Sequence, residues 1–294
     1  MSVAAVAVVG SDGGALALAE ELASAGDGTR VTVYGRQKAH PDHTVFSRGL
    51  AEYVFGLQPF HDYTEAVFLA VPEESIPEVA IAVSAQGQAP SGCAAFHLSA
   101  TVPTEALGPL HARGYELGAF HLLGGPSRPW EHPTPVKGGC VAVTGSPAAV
   151  AVARRLTDML DAELLEVPAA RRPLVDAAAV MVGGAIDPLL GLSVRMMERA
   201  GIPGEEAVPA LVSVARGALR RIEAQEGEPP PHAVLQGDVE TVALHLRALD
   251  AEDQRLYAVL ASEILRIGGD AMDPEERQAM RRLLSTALEP TGIG

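Results

Sequence analysis

The chain has 294 residues and a mass of 30.5 kDa, enough for one large or two modest domains with a sizeable core. Its formal charge is −15, with 48% hydrophobic and 4% aromatic residues, which excludes a disordered chain and a disulfide-stapled mini-protein. A surface this acidic draws neither nucleic acid nor an anionic membrane, so no nucleic-acid or membrane partner is expected.

Residues 3–9 form an apolar Ala/Val run without a basic leader, too short to span a bilayer, and read as a buried strand. Gly10-Ser11-Asp12-Gly13-Gly14 follows, then a helical stretch from Ala15 to Ala25. Further strands are expected at 30–34, 66–71, 94–98, 115–121 and 139–144, set off by helical or loop stretches such as 103–113 and 147–160. Alternation of strand and helix predicts a doubly wound α/β domain with a parallel sheet over residues 1–167. Beyond Val167 the strand signals stop, and helices are expected at about 171–200 and 204–225. Asp238, Asp250 and Asp273 are read as the N-caps of three more, giving an all-α second domain at 168–294. Pro188 and Pro209 predict a kink or break inside their helices.

The glycine turn after the first strand is the first functional signal. Set on the pattern G-x-G-x-x-G/A, it supplies Gly10, Asp12 and Ala15, so an aspartate stands where close approach of a pyrophosphate asks for glycine. Ser11, Gly13 and Gly14 still offer backbone N–H groups to a phosphate, whereas Asp12 competes for the same helix end, or caps it. The second strand ends in Tyr34-Gly35-Arg36-Gln37-Lys38, with no carboxylate for a ribose 2′-hydroxyl and two cations for a 2′-phosphate. That favours NADP over NAD; the competing explanation is a solvated loop arginine. Val71-Pro72 closes the third strand where a dinucleotide would run.

Four stretches carry a family resemblance: Ala66-Val-Phe-Leu-Ala-Val-Pro-Glu73; Phe96-His97-Leu98-Ser99-Ala100; Ala119-Phe120-His121-Leu122; and Gln236-Gly237-Asp238-x-x-Thr241-Val-Ala-x-His245 with Leu256-Tyr257. In order and spacing the chain resembles the domain-of-unknown-function 2520 family. That resemblance implies a Rossmann-like domain followed by a 6-phosphogluconate-dehydrogenase-like helical domain, an NAD(P)-dependent oxidoreductase with its cleft between the domains, and a homodimer. Where the family carries Tyr-His and Ser-Asn on the first helix of the second domain, this chain has Val175-Asp176 and Gly183-Gly184, and its Arg-Gly-Asp is Gln236-Gly237-Asp238.

His97 and His121 end separate strands on the carboxyl edge, where open α/β sheets bind ligands, and are the candidate acid/base groups, with Ser99 to orient a ligand and Asp176 as a further catalytic candidate. For each there is a plainer explanation. The histidines would bond local backbone, Ser99 would cap the next turn, and Asp176 would be a solvated residue near a helix start. Trp130, with Arg128 and His132, suggests a lid or merely an anchored loop. His232 and His245 lack the spacing of metal ligands, Cys93 and Cys140 form no thiolate pair, and no metal is expected. The chain thus reads as a cytoplasmic reductase of a small carbonyl, imine or keto acid using NADP, with NAD or a deazaflavin as alternatives. The rival reading is a catalytically degenerate ligand-binding or regulatory protein.

Overall fold

The computed structural model describes residues 5–25, 28–123, 136–224 and 232–289. It divides into two compact units, Met1–Ser193 and Val194–Gly294. The strands end before residue 167, as the change of composition predicts, but the division between units falls later, within a helix. That helix begins against the first unit, where Arg172 and Asp176 bond residues of the sheet domain.

In the first unit the order is β1 (Ala5–Val9), α1 (Gly13–Ser24), β2 (Arg30–Gly35), α2 (Thr44–Ser47), β3 (Ala51–Phe55), β4 (Ala66–Leu69), α3 (Ile76–Ser84), β5 (Ala94–His97), α4 (Gly108–His111), β6 (Glu116–Leu122), β7 (Cys140–Gly145), α5 (Pro147–Met159) and β8 (Glu163–Glu166). One eight-stranded sheet results, in the order β3-β2-β1-β4-β5-β6-β7-β8. The chain leaves β1 to build one side of the sheet and returns to the other, so β1 and β4 flank the point where the strand order reverses.

Every pairing is parallel except β6 with β7, so the expected parallel sheet carries one antiparallel junction. Two edge strands, β3 and β8, had no strong signal. Each is short and partly exposed, with a glutamate inside β3 and one at either end of β8, as suits the rim of a sheet. The central strands are apolar on both faces because both faces are covered. On one face Phe68, Phe96 and Phe120 meet ring to ring, with centroids 5.3 to 6.0 Å apart, and α1 and α5 pack over them. Burial of each such ring stabilises the fold by about 2–3 kcal/mol. On the other face Val67, Leu69, Ala95 and Tyr115 pack with Ile76, Ala80, Val83 and Leu110 of α3 and α4.

Helix α6 (Arg172–Arg199) runs unbroken through Pro188, and α7 (Gly204–Glu223) through Pro209, so neither proline ends its helix. In the second unit α8 (Val239–Ala248), α9 (Ala251–Gly268) and α10 (Pro274–Leu288) enclose a core of Val242, Leu246, Ala258, Ala261, Leu265, Met280 and Leu284. Their caps are the predicted aspartates: Asp238, Asp250 and Asp273 each accept a hydrogen bond from the first turn of the helix that follows.

Candidate functional site

The carboxyl edge of the sheet has two ends, one at β1 and β2 and the other at β5 and β6. At the first, Gly10 adopts φ +134° and a side chain there would overlap the Ala70 carbonyl, so the chain leaving β4 requires this glycine whatever the turn binds. Its N–H donates to Tyr34 O at 3.0 Å, and the first helical bond of α1 runs from Leu16 N to Asp12 O. Asp12 occupies the N-cap position in extended conformation, yet its carboxylate makes no capping bond and is exposed. The expectation that Asp12 caps α1 with its side chain is therefore not met. Ser11, Gly13 and Gly14 are open or half-open to solvent, Ala15 is buried, and no acidic residue lies in the first turn. The leading N–H groups of α1 are left facing outward with their partial positive charge.

Beyond β2, Tyr53 lies over Gly35 and its hydroxyl donates to Gln37 O at 2.7 Å, which fixes the turn presenting Arg36 and Lys38. Both cations are exposed, and no carboxylate pairs with either among the described residues. Val71 packs beside the lower core cluster, and Pro72 leads into a 3-10 turn, Glu73–Ser75. Free helix-end N–H groups at the reversal of strand order, with unpaired cations past β2, fit the diphosphate and 2′-phosphate of a nicotinamide dinucleotide. The Asp12 carboxylate is the one group of the wrong sign.

The other end is arranged differently. His97 and His121 lie on the same face of the sheet, since His97 pairs in register with Ala119 and His121 is two residues on. His121 presents Nδ1 to Leu98 O and Nε2 to Asp176 Oδ1 of α6, both at 3.3 Å. Each ring nitrogen thus faces an acceptor, and only the doubly protonated ring donates to both. His97 is wholly buried, and neither ring nitrogen has a partner. Burial, then the nearby Arg172 guanidinium and His121, drive its pKa down to about 3, so the ring is neutral.

Ser99 is fully committed. Its hydroxyl donates to Glu73 Oε1 and accepts from Thr101 N at 3.1 Å and Val102 N at 2.9 Å. Thr101 Oγ1 donates to the second Glu73 oxygen at 3.1 Å. Arg172 donates from Nη1 to Val102 O at 2.7 Å and from Nη2 to Ser99 O. The turn after β5 is thereby tied from three sides, and of the readings of Ser99 the geometry gives the turn-building one. Asp176 has the partner that a carboxylate on an apolar helix needs.

Glu73, Thr101 and Arg172 escaped the sequence reading. A signal existed for one of them: Arg172 opens an apolar helix at the end where the helix dipole disfavours a cation, so a local electronegative partner was implied. The Trp130, Arg128 and His132 loop lies outside the described residues. In the second unit His245 Nδ1 and Tyr257 Oη are 2.9 Å apart, and among the described residues no three His, Cys, Asp or Glu gather as metal ligands. Burial pushes the Cys93 thiol up to about 12, which leaves it unreactive. A cavity of about 810 Å³ bounded by His111, Glu116, Ser146 and Glu166 opens on the opposite, amino edge and contains none of these groups.

A family profile described as a domain of unknown function (DUF2520) matches residues 139–264, in agreement with the resemblance carried by the motifs. Among solved structures, a candidate NADP oxidoreductase from Bacteroides fragilis is 18% identical, with 89% of this chain and 97% of that one covered and a TM-score of 0.65. A pyrroline-5-carboxylate reductase from Coxiella burnetii is 14% identical, with 97% and 98% covered and a TM-score of 0.61. A reductive aminase from Aspergillus terreus, solved with NADPH and ethyl-5-oxohexanoate, is 12% identical, with 98% and 94% covered and a TM-score of 0.56. No curated protein matches the sequence. At these identities the likeness establishes a Rossmann-type sheet domain followed by helices.

Proposed function

We propose that the protein is a nicotinamide-dependent oxidoreductase that prefers NADP and reduces a small carbonyl, imine or keto acid. The observation that carries this reading is the His121–Asp176 pair on the same sheet edge as the open N-terminus of α1. A bound reduced nicotinamide would supply the hydride. The N–H groups from Ser11 to Ala15 would hold the diphosphate, Arg36 with Lys38 would receive the 2′-phosphate, and Val71-Pro72 would border the ring. His121, oriented by Leu98 O and Asp176, gives the proton to the heteroatom of the substrate. His97 is unsuited to that role because it is buried and neutral at physiological pH. The resemblance between this fold and reductases of known cofactor supports the reading without naming a substrate.

The test is a fluorescence titration with NADPH and, separately, NADH. Tight NADPH binding that weakens in Arg36→Ala supports the cofactor site; no binding of either nucleotide refutes the reading. A second reading, a ligand-binding protein without catalysis, is favoured by Ser99 being wholly engaged in its turn. It predicts nucleotide binding with no turnover of any carbonyl or imine in the His121-competent protein.

We further propose a cytoplasmic homodimer. Helix α6 buries only Leu192 while Leu174, Val180, Met181, Val182 and Ile186 stand 46 to 72% exposed. The helix over residues 169–199, whose most apolar 18-residue window has mean hydropathy 1.7, is also the one described segment long and apolar enough to cross a membrane. The Arg172 and Asp176 bonds to the sheet domain favour a second copy over lipid as the covering surface. A monomer mass by light scattering at micromolar concentration refutes the dimer, and partition into neutral vesicles would identify lipid instead.

A further inference from the structure

We infer that the β5–β6 end of the edge takes a positively charged nitrogen compound, an iminium ion or the amine formed from it, in preference to a keto acid. The inference rests on the reductase reading and narrows its substrate. Three carboxylates, Asp176, Glu105 and Glu73, act on the single Arg172 guanidinium, so this group of four carries a surplus of two negative charges, and the buried His97 beside it is neutral. The guanidinium cannot readily be the clasp for a substrate carboxylate, because Nη1 and Nη2 are turned onto the Val102 and Ser99 carbonyls. Asp176, by contrast, has one oxygen on His121, a second without a partner among the described residues, and a side chain 35% exposed.

The second observation is His97. A buried imidazole with both nitrogens unpartnered is a costly arrangement that calls for an absent hydrogen-bonding group. Being neutral, the ring offers a lone pair, and a ligand N–H would supply the donor it lacks once the packing over the ring opens. A carboxylate ligand would instead bring a third surplus negative charge beside Asp176. The chemistry agrees with the charge. An imine accepts hydride readily only as the iminium, and nearby carboxylates favour the protonated form. Hydride from the reduced nicotinamide bonds to the iminium carbon while the C=N π pair becomes the nitrogen lone pair. The resulting amine then takes up one proton, from His121 or water, and remains a cation at neutral pH.

The probes are pyrrolidine, a cation at pH 7, and pyruvate, titrated into the protein saturated with NADP and into the protein alone, with the histidine side-chain resonances as the readout. Pyrrolidine is expected to bind about tenfold or more tighter than pyruvate, the effect of about one screened unit charge at a half-buried site. Asp176→Asn should abolish that preference. Glu105→Gln, in an exposed turn that tolerates the change, should reduce it severalfold should the first variant fail to fold. Equal or tighter binding of pyruvate, no response to either probe, or a preference unchanged in both variants overturns the inference. If NADPH fails to bind while pyrrolidine still binds through Asp176, the reductase reading falls and the amine site stands.

Discussion

The two ends of the carboxyl edge treat their polar groups in opposite ways. Around β1 and β2 the leading N–H groups of α1, Asp12, Arg36 and Lys38 have no partners among the described residues. Around β5 and β6 nearly every polar atom is engaged: Ser99 and Thr101 with Glu73, Arg172 with two carbonyls, His121 with Leu98 and Asp176. The first end is built to be completed by something outside the chain. The second holds its geometry beforehand, which is what orienting a proton donor requires, and among the described residues it leaves His97 and one Asp176 oxygen without partners.

Variants that cross this contrast should separate the two ends. The largest effect is expected for His121→Ala, which should lower turnover by about 10²- to 10⁴-fold with nucleotide binding preserved, read by comparing steady-state rates with fluorescence titration. Gly10→Ala should cost about 3 kcal/mol in urea unfolding, because a side chain meets the Ala70 carbonyl at a backbone angle disfavoured for L-residues; an unchanged midpoint would show that the β1 turn relaxes.

His97 gives a pH signature. Its folded pKa near 3 lies below the ordinary 6.5, so the unfolded chain binds the proton first, and its contribution is complete above 6.5 and lost as pH falls toward 3. Between pH 6.5 and 5 that loss should amount to about 2 kcal/mol, and His97→Leu should flatten this part of the stability profile. Smaller again, Arg36→Ala should weaken NADPH by about tenfold and leave NADH nearly unchanged. Asp12→Gly should strengthen both nucleotides by about threefold with little change in stability, since its carboxylate makes no cap bond.

Much of the framework is legible in the sequence. Continuous apolar runs mark β1, β4 and β5 because both sheet faces are covered, and three aspartates mark the starts of α8, α9 and α10. What could not be read shares a cause. The strands β3 and β8 lie at the rim and need little apolar content, and β7 runs antiparallel through a connection whose direction no local pattern encodes. The histidines and Asp176 were visible as chemical types at strand and helix ends. Their division of labour was not, for the separation of 55 positions from His121 to Asp176 is closed only by the tertiary fold. Glu73 was hidden in the same way, since its role depends on two hydroxyls 26 and 28 residues away.

The Tyr53 ring over Gly35 constrains any redesign of cofactor preference. A carboxylate intended for a ribose hydroxyl cannot be installed at position 35, where even a methyl group would strike the tyrosine hydroxyl. The exchange has to be made at 36 or 38, on a turn whose shape depends on the Tyr53 bond to Gln37 O. An engineer seeking an NADH-using form should therefore begin with Arg36→Asp and leave both Gly35 and Tyr53 in place.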